Sequence, residues 1–256
     1  MAMGKLAPLR IAGRLGARRL AIGLLLVACV PIIPPTAVPT TVACVGTAQK
    51  CLSDTELPAM NEQLGQAAER GDTPAVLRLL ANGAQINSSD ARGRTPVMAA
   101  THGNRVATVQ ALIAAGADID LQDNLQDNPF LYAGAEGLLD ILKLTIEAGA
   151  NTKLTNRYGG TALIPAAERG HVEVVSELLT RTDVDINHVN NLGWTALLEA
   201  IILGDGGPRR SEVVRRLINA GADVNLADGQ GMTPLTHARQ RGYTQMIELL
   251  EAAGAQ

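Results

Sequence analysis

At 256 residues and 46% apolar content the chain can bury a sizeable core, but only 2% of its residues are aromatic, which suits stacked small helices better than one ring-filled interior. The formal charge of −3 hides an asymmetry. Lys5, Arg10, Arg14, Arg18 and Arg19 fall in the first 28 residues, which hold no acid, leaving 17 bases against 25 acids, about −8, for the rest. A body that acidic, with no basic stripe, repels a phosphate backbone, so nucleic-acid binding is excluded as the expected role.

The first element is a basic stretch ending at Arg18-Arg19, followed by the apolar run Leu20 to Ala28 and then Cys29. That is the layout of a secretory signal. Extended to Ile33 the run is 14 residues, short of the ~20 that a spanning helix needs, and Pro31, Pro34 and Pro35 would end a helix early. Leu26-Val-Ala-Cys29 resembles the lipobox of bacterial lipoproteins, which implies lipid on Cys29 and a membrane contact through the N-terminus alone. The alternative is an ordinary cleavage after Ala48, far beyond the apolar run. Residues 29–56, with four prolines among Thr and Val, read as an extended tether. Cys44 and Cys51 lie in it, and in an oxidising compartment they either close a small disulfide loop or stay as two free thiols. Neither has neighbours at zinc spacing, so no metal is expected.

From Leu57 onward the chain repeats. A breaker recurs at Gly71, Asn104, Gly137, Gly170, Gly204 and Gly242, at separations of 33, 33, 33, 34 and 38. A second series at Gly83, Gly116, Gly149, Gly221 and Gly254 follows it by 12, or by 17 in the fifth unit. Two fixed breakers per period mean two short helices per unit, each closed by a residue that tolerates positive φ. Thr95-Pro96, Asn128-Pro129 and Thr233-Pro234 put a capping side chain before a proline, and Thr161 and Thr195 keep the cap alone. Second helices carry apolar stripes such as Val109, Leu112, Ile113 and Val174, Val175, Leu178, Leu179.

Thr233-Pro-Leu-Thr-His-Ala, Gly242-Tyr243 and Gly221-Ala-Asp-Val-Asn225 resemble the ankyrin repeat, and six units in phase cover about 200 of the 256 residues. The resemblance implies an all-α ankyrin-repeat solenoid over 57–256, built of six helix pairs with β-turn fingers, behind a signal at 1–28. Three departures stand out. Pro165 should bend or tighten its helix, the fourth unit ends Thr182-Asp-Val-Asp-Ile-Asn187 without its glycine, and about five residues around 205–210 read as an inserted loop.

No catalytic constellation emerges: His102, His171, His188 and His237 sit at unrelated positions in different units. His171, at the Gly-His position, is expected to satisfy backbone groups. Asp183-Val-Asp-Ile-Asn187 lacks the Gly and Glu of a calcium loop, and Gly204-Asp-Gly-Gly207 lacks the Lys of a phosphate loop. No cofactor and no enzymatic activity are expected.

The resemblance implies instead a protein partner gripped by fingertips and exposed first-helix residues. Carried over by position, the fingertips are Arg92 and Arg94, Leu125 and Asp127, Arg157 and Tyr158, Leu192 and Trp194, Gln230 and Met232. First helices add Glu168, Arg169, Ile202, Leu203, Gln240 and Arg241. Tyr158, Leu192, Trp194, Ile202 and Leu203 make an apolar centre flanked by charge, of the residue types enriched at binding hot spots. The competing reading packs Trp194 and Tyr158 against neighbouring fingers. The expected setting is a bacterial periplasm, with the protein a membrane-tethered monomer.

Overall fold

The structure, a computed structural model, describes residues 56–256. They form twelve helices in six pairs: α1 (Glu56–Arg70) with α2 (Thr73–Ala81), α3 (Pro96–His102) with α4 (Val106–Ala114), α5 (Pro129–Glu136) with α6 (Leu139–Glu147), α7 (Leu163–Arg169) with α8 (Val172–Arg181), α9 (Ala196–Ile202) with α10 (Pro208–Asn219), and α11 (Pro234–Arg241) with α12 (Thr244–Ala252). First helices pack on first helices along the stack, α1 on α3 through α9 on α11, and second helices do the same from α2 to α12. The result is a two-layer solenoid in which each unit is covered by its neighbours.

Caps start the first helices where the sequence places them. The side chains of Thr95, Asn128, Thr195 and Thr233 accept from the backbone N–H three residues on. Thr161 does not. Its Oγ1 is buried without a partner, and the N–H of Ile164 bonds the Thr161 carbonyl at 3.2 Å, a tightened first turn. Pro165 explains this, because a residue before proline is pushed away from ordinary helical geometry. The tightening expected from Pro165 is present; the cap expected from Thr161 is not.

Between the layers lies one continuous core. Val97, Phe130, Leu163, Leu197 and Leu235 recur at one register of the first helices, and Leu112, Leu178, Leu217 and Leu250 at one register of the second, all with 2% exposure or less. Thr145 takes the corresponding place in α6, fully buried, and satisfies its hydroxyl on the Leu142 carbonyl at 2.8 Å.

The 205–210 segment departs from the sequence reading. Only Asp205 to Gly207 form a connector; Pro208 sits at the first position of α10 and lengthens that helix to 12 residues. The positive-φ residue is Gly206, with Gly204 outside that region. A Cβ on Gly206 would meet the ring of Tyr243 at 2.4 Å, so the connector is closely overlaid by the next unit. The extra turn also restores a repeating contact. In three other units the residue after the breaker reaches back to a carbonyl at or just past the end of the preceding first helix: Arg105 to Glu69, His171 to Ala135, and Tyr243 to Gly204. In the fifth unit Arg210 does this, its Nε donating to the Glu168 carbonyl at 2.6 Å. His171 thus plays the backbone-satisfying part expected of it.

Candidate partner-binding surface

Each finger is built by one Asp or Asn. The side-chain oxygen Oδ1 of Asp90, Asp123, Asn156, Asn190 and Asp228 accepts the N–H groups two and four residues on, in every case within 3.1 Å. The same residue's N–H bonds the carbonyl four residues on. Such Asx turns satisfy the backbone locally and fix which side chains stand at the tip. Successive tips are stitched together: Asn124 N–H donates to the Arg92 carbonyl, Arg157 to Leu125, and Asn191 to Tyr158. Leu125, Tyr158 and Leu192, each two residues after its Asx, are therefore held side by side.

These tips are open. Leu125 is 47% exposed, Tyr158 54% and Leu192 58%, and Leu203, at the far end of α9 from the finger, is 48% exposed. Trp194, Ile202 and Met232 are half-buried. Tyr158 thus stands free of the packing alternative, while Trp194 is partly covered. Arg157 and Arg169, two of the arginines expected to meet a partner, are engaged within the chain. Arg157 lies 4.6 Å over the Tyr158 ring and donates to its hydroxyl at 2.9 Å. Arg169 donates to the Ala135 carbonyl and pairs with Glu136. Met232 Sδ receives the amide of Gln240. Cys29, Cys44 and Cys51 lie outside the described residues.

Beside the fingers lie buried polar pairs that the sequence reading did not connect. Nine residues after the finger Asx, Glu199 is buried and accepts from Asn190 Nδ2 at 2.7 Å, and His237 binds Asp228 at 2.7 Å in the same register. A recurrent nine-residue spacing between complementary polar types is the signal that could have found them. Burial, then the charge of Glu168, pushes the Glu199 carboxyl up to about 7 against the Asn190 hydrogen bond. Burial, then Asp123, pushes Asp127 up to about 6. His102 stacks on Tyr132 with ring centroids 3.9 Å apart, and burial holds its pKa below the usual histidine value.

Models of ankyrin repeats in three copies match residues 64–156 and 130–228, and a model of ankyrin repeats in many copies matches 209–251. This chain belongs to the ankyrin-repeat family. The ankyrin repeat protein YahD of Escherichia coli K12 is 43% identical over 189 residues, covering 74% of this chain and 94% of its own. An ankyrin repeat domain from Acinetobacter baumannii is 52% identical with a TM-score of 0.73, covering 76% of this chain and 98% of that one. A chain from the structure of the Bdellovibrio bacteriovorus predatory endopeptidase Bd0816 in complex with immunity protein Bd3460 is 28% identical, with a TM-score of 0.64 over 74% of this chain and 96% of that one. The ankyrin fold is typical of protein-interaction modules.

Proposed function

We propose that this ankyrin solenoid is a protein-binding module, exported to a bacterial periplasm and held at a membrane by lipid on Cys29. The observation that carries the binding reading is the row of stitched fingertips presenting Leu125, Tyr158 and Leu192 to solvent on consecutive units. Large exposed apolar side chains held in a fixed row cost solubility and gain nothing for folding, so an interface is their physical justification. Arg157 stacks on Tyr158 and fixes its ring, which lowers the entropy lost on docking. The solved complex that contains a similar chain supports a protein as partner.

Tyr158→Ala and Leu192→Ala test this, since both side chains are too exposed to matter much for folding. Each should weaken capture of the partner by about 2 kcal/mol with little change in thermal melting. Unchanged capture by both variants would remove the fingertips from the interface. Export and lipidation rest on the run from Arg18 to Cys29 and are tested separately below.

A further inference from the structure

The face of α7 and α9 that carries Glu168 and Glu199 is short of a cation, and the chain itself shows where one belongs. At the start of the solenoid Glu69, two residues before Gly71, is met by Arg94, four residues after Asp90: Arg94 bridges to Glu69 at 3.1 Å and to Asp90 at 2.9 Å. The same register recurs three units on. Glu168 stands two residues before Gly170, but the residue four after Asn190 is Trp194, so both the arginine and the second carboxylate of that arrangement are gone from the finger. A carboxylate has been added in their place on α9, at Glu199.

Glu199 is only 6% exposed. One oxygen accepts from Asn190, while the other has no hydrogen bond within the chain and is not sealed from solvent. Glu168 makes no salt bridge with any described residue. Most charged groups on the helices packed around Glu199 are already committed, Arg209 on α10 makes no ion pair with a described residue, and none of them pairs with Glu168 or Glu199. On α7 Arg169 pairs with Glu136, on α10 Arg210 donates to the Glu168 carbonyl and pairs with Asp205, and on α11 His237 is held between Asp228 and Arg241. Two carboxylates close enough for the charge of one to act on the other, neither ion-paired with a described residue, complement one basic side chain: the acids supply charge-assisted hydrogen bonds, and Trp194, at the finger register that Arg94 fills in the first finger, offers a cation–π face.

We propose that the partner protein docks one arginine or lysine side chain on this face, at Glu168, Glu199 and Trp194. This rests on the protein-binding reading and names its anchor chemistry. Burial first and the charge of Glu168 second raise the Glu199 pKa, and a bound cation stabilises the ionised form against both, so docking releases a proton. Affinity therefore rises with pH through about 7 and levels off above it.

The test is selection of a phage-displayed random peptide library on the immobilised full chain, followed by binding of synthetic versions of the selected peptides at pH 6 and pH 8. Selected peptides should share an Arg or Lys next to apolar residues and bind more tightly at pH 8. Glu199→Gln should weaken them by about tenfold or more and flatten the pH dependence, while Glu248→Gln on α12 should leave both unchanged. Glu168→Gln, a more exposed change that spares the fold, should weaken binding in the same direction. Peptides that depend on Tyr158 but share no basic residue, or that bind both Gln variants unchanged, would overturn the proposal and leave the binding reading standing. Failure to select any peptide would overturn both.

Discussion

Glu199 shows at the residue scale how position overrides type. Read as sequence it is one acid on a short helix, but its register puts it under a finger, where burial and Glu168 raise its pKa from the ordinary 4.5 to about 7. The folded chain therefore binds more protons than the unfolded chain between those values, so this residue's contribution to stability is largest below about 4.5 and is lost as pH rises through about 7. Between pH 5 and pH 8 in urea melts the stability of wild type should fall by about 1 to 3 kcal/mol relative to that of Glu199→Gln. Asp127, raised to about 6 by burial and Asp123, acts with the same sign, while His102 and His171, lowered first by burial, act with the opposite sign in both proteins. Equal losses in the two proteins would place Glu199 in contact with bulk water. Cap residues were easier to read, because a Thr or Asn before proline acts on its own backbone; Thr161 misled because its failure depends on a proline four residues away.

Elements were the most legible level. The helix pairs follow from breakers and caps that act within a few residues, and the stripes of Val109, Leu112, Val175 and Leu178 are all fully buried. Leu178→Ala should therefore cost about 2 to 5 kcal/mol, since its neighbours on two adjacent units cannot collapse fully into the space. Hydrogen exchange should quicken in the flanking units as well, because stability passes between nearest neighbours. A cost under about 1 kcal/mol would contradict the burial of that stripe. The segment around 205–210 was misread as a loop because the deciding contacts are not local. Pro208 can begin a helix, but only Arg210 reaching Glu168 and Tyr243 overlaying Gly206 show why the extra turn is kept. The fingers lay between these extremes. Their tips could be placed by counting, whereas the internal commitments of Arg157 and Arg169 required side-chain positions.

For the whole molecule, a stack of six similar units presents a long groove whose chemistry changes from one end to the other. The acid at the first finger is neutralised internally by Arg94, while Glu168 and Glu199 of the fourth and fifth units make no ion pair among the described residues. On the proposed reading the N-terminal segment sets where the solenoid works. The mass of the mature protein should show a start at Cys29 with an added lipid, and an unmodified Cys29 or a start near residue 49 would contradict tethering. The measurement that bears most directly on the central claim is photo-crosslinking in intact cells, with a reactive side chain at position 158 or 192 and a control at the exposed position 248 on α12. The account predicts a discrete higher-mass adduct from 158 and 192 and none from 248; no adduct from the tips, or the same adducts from all three positions, would contradict a binding surface at the fingers.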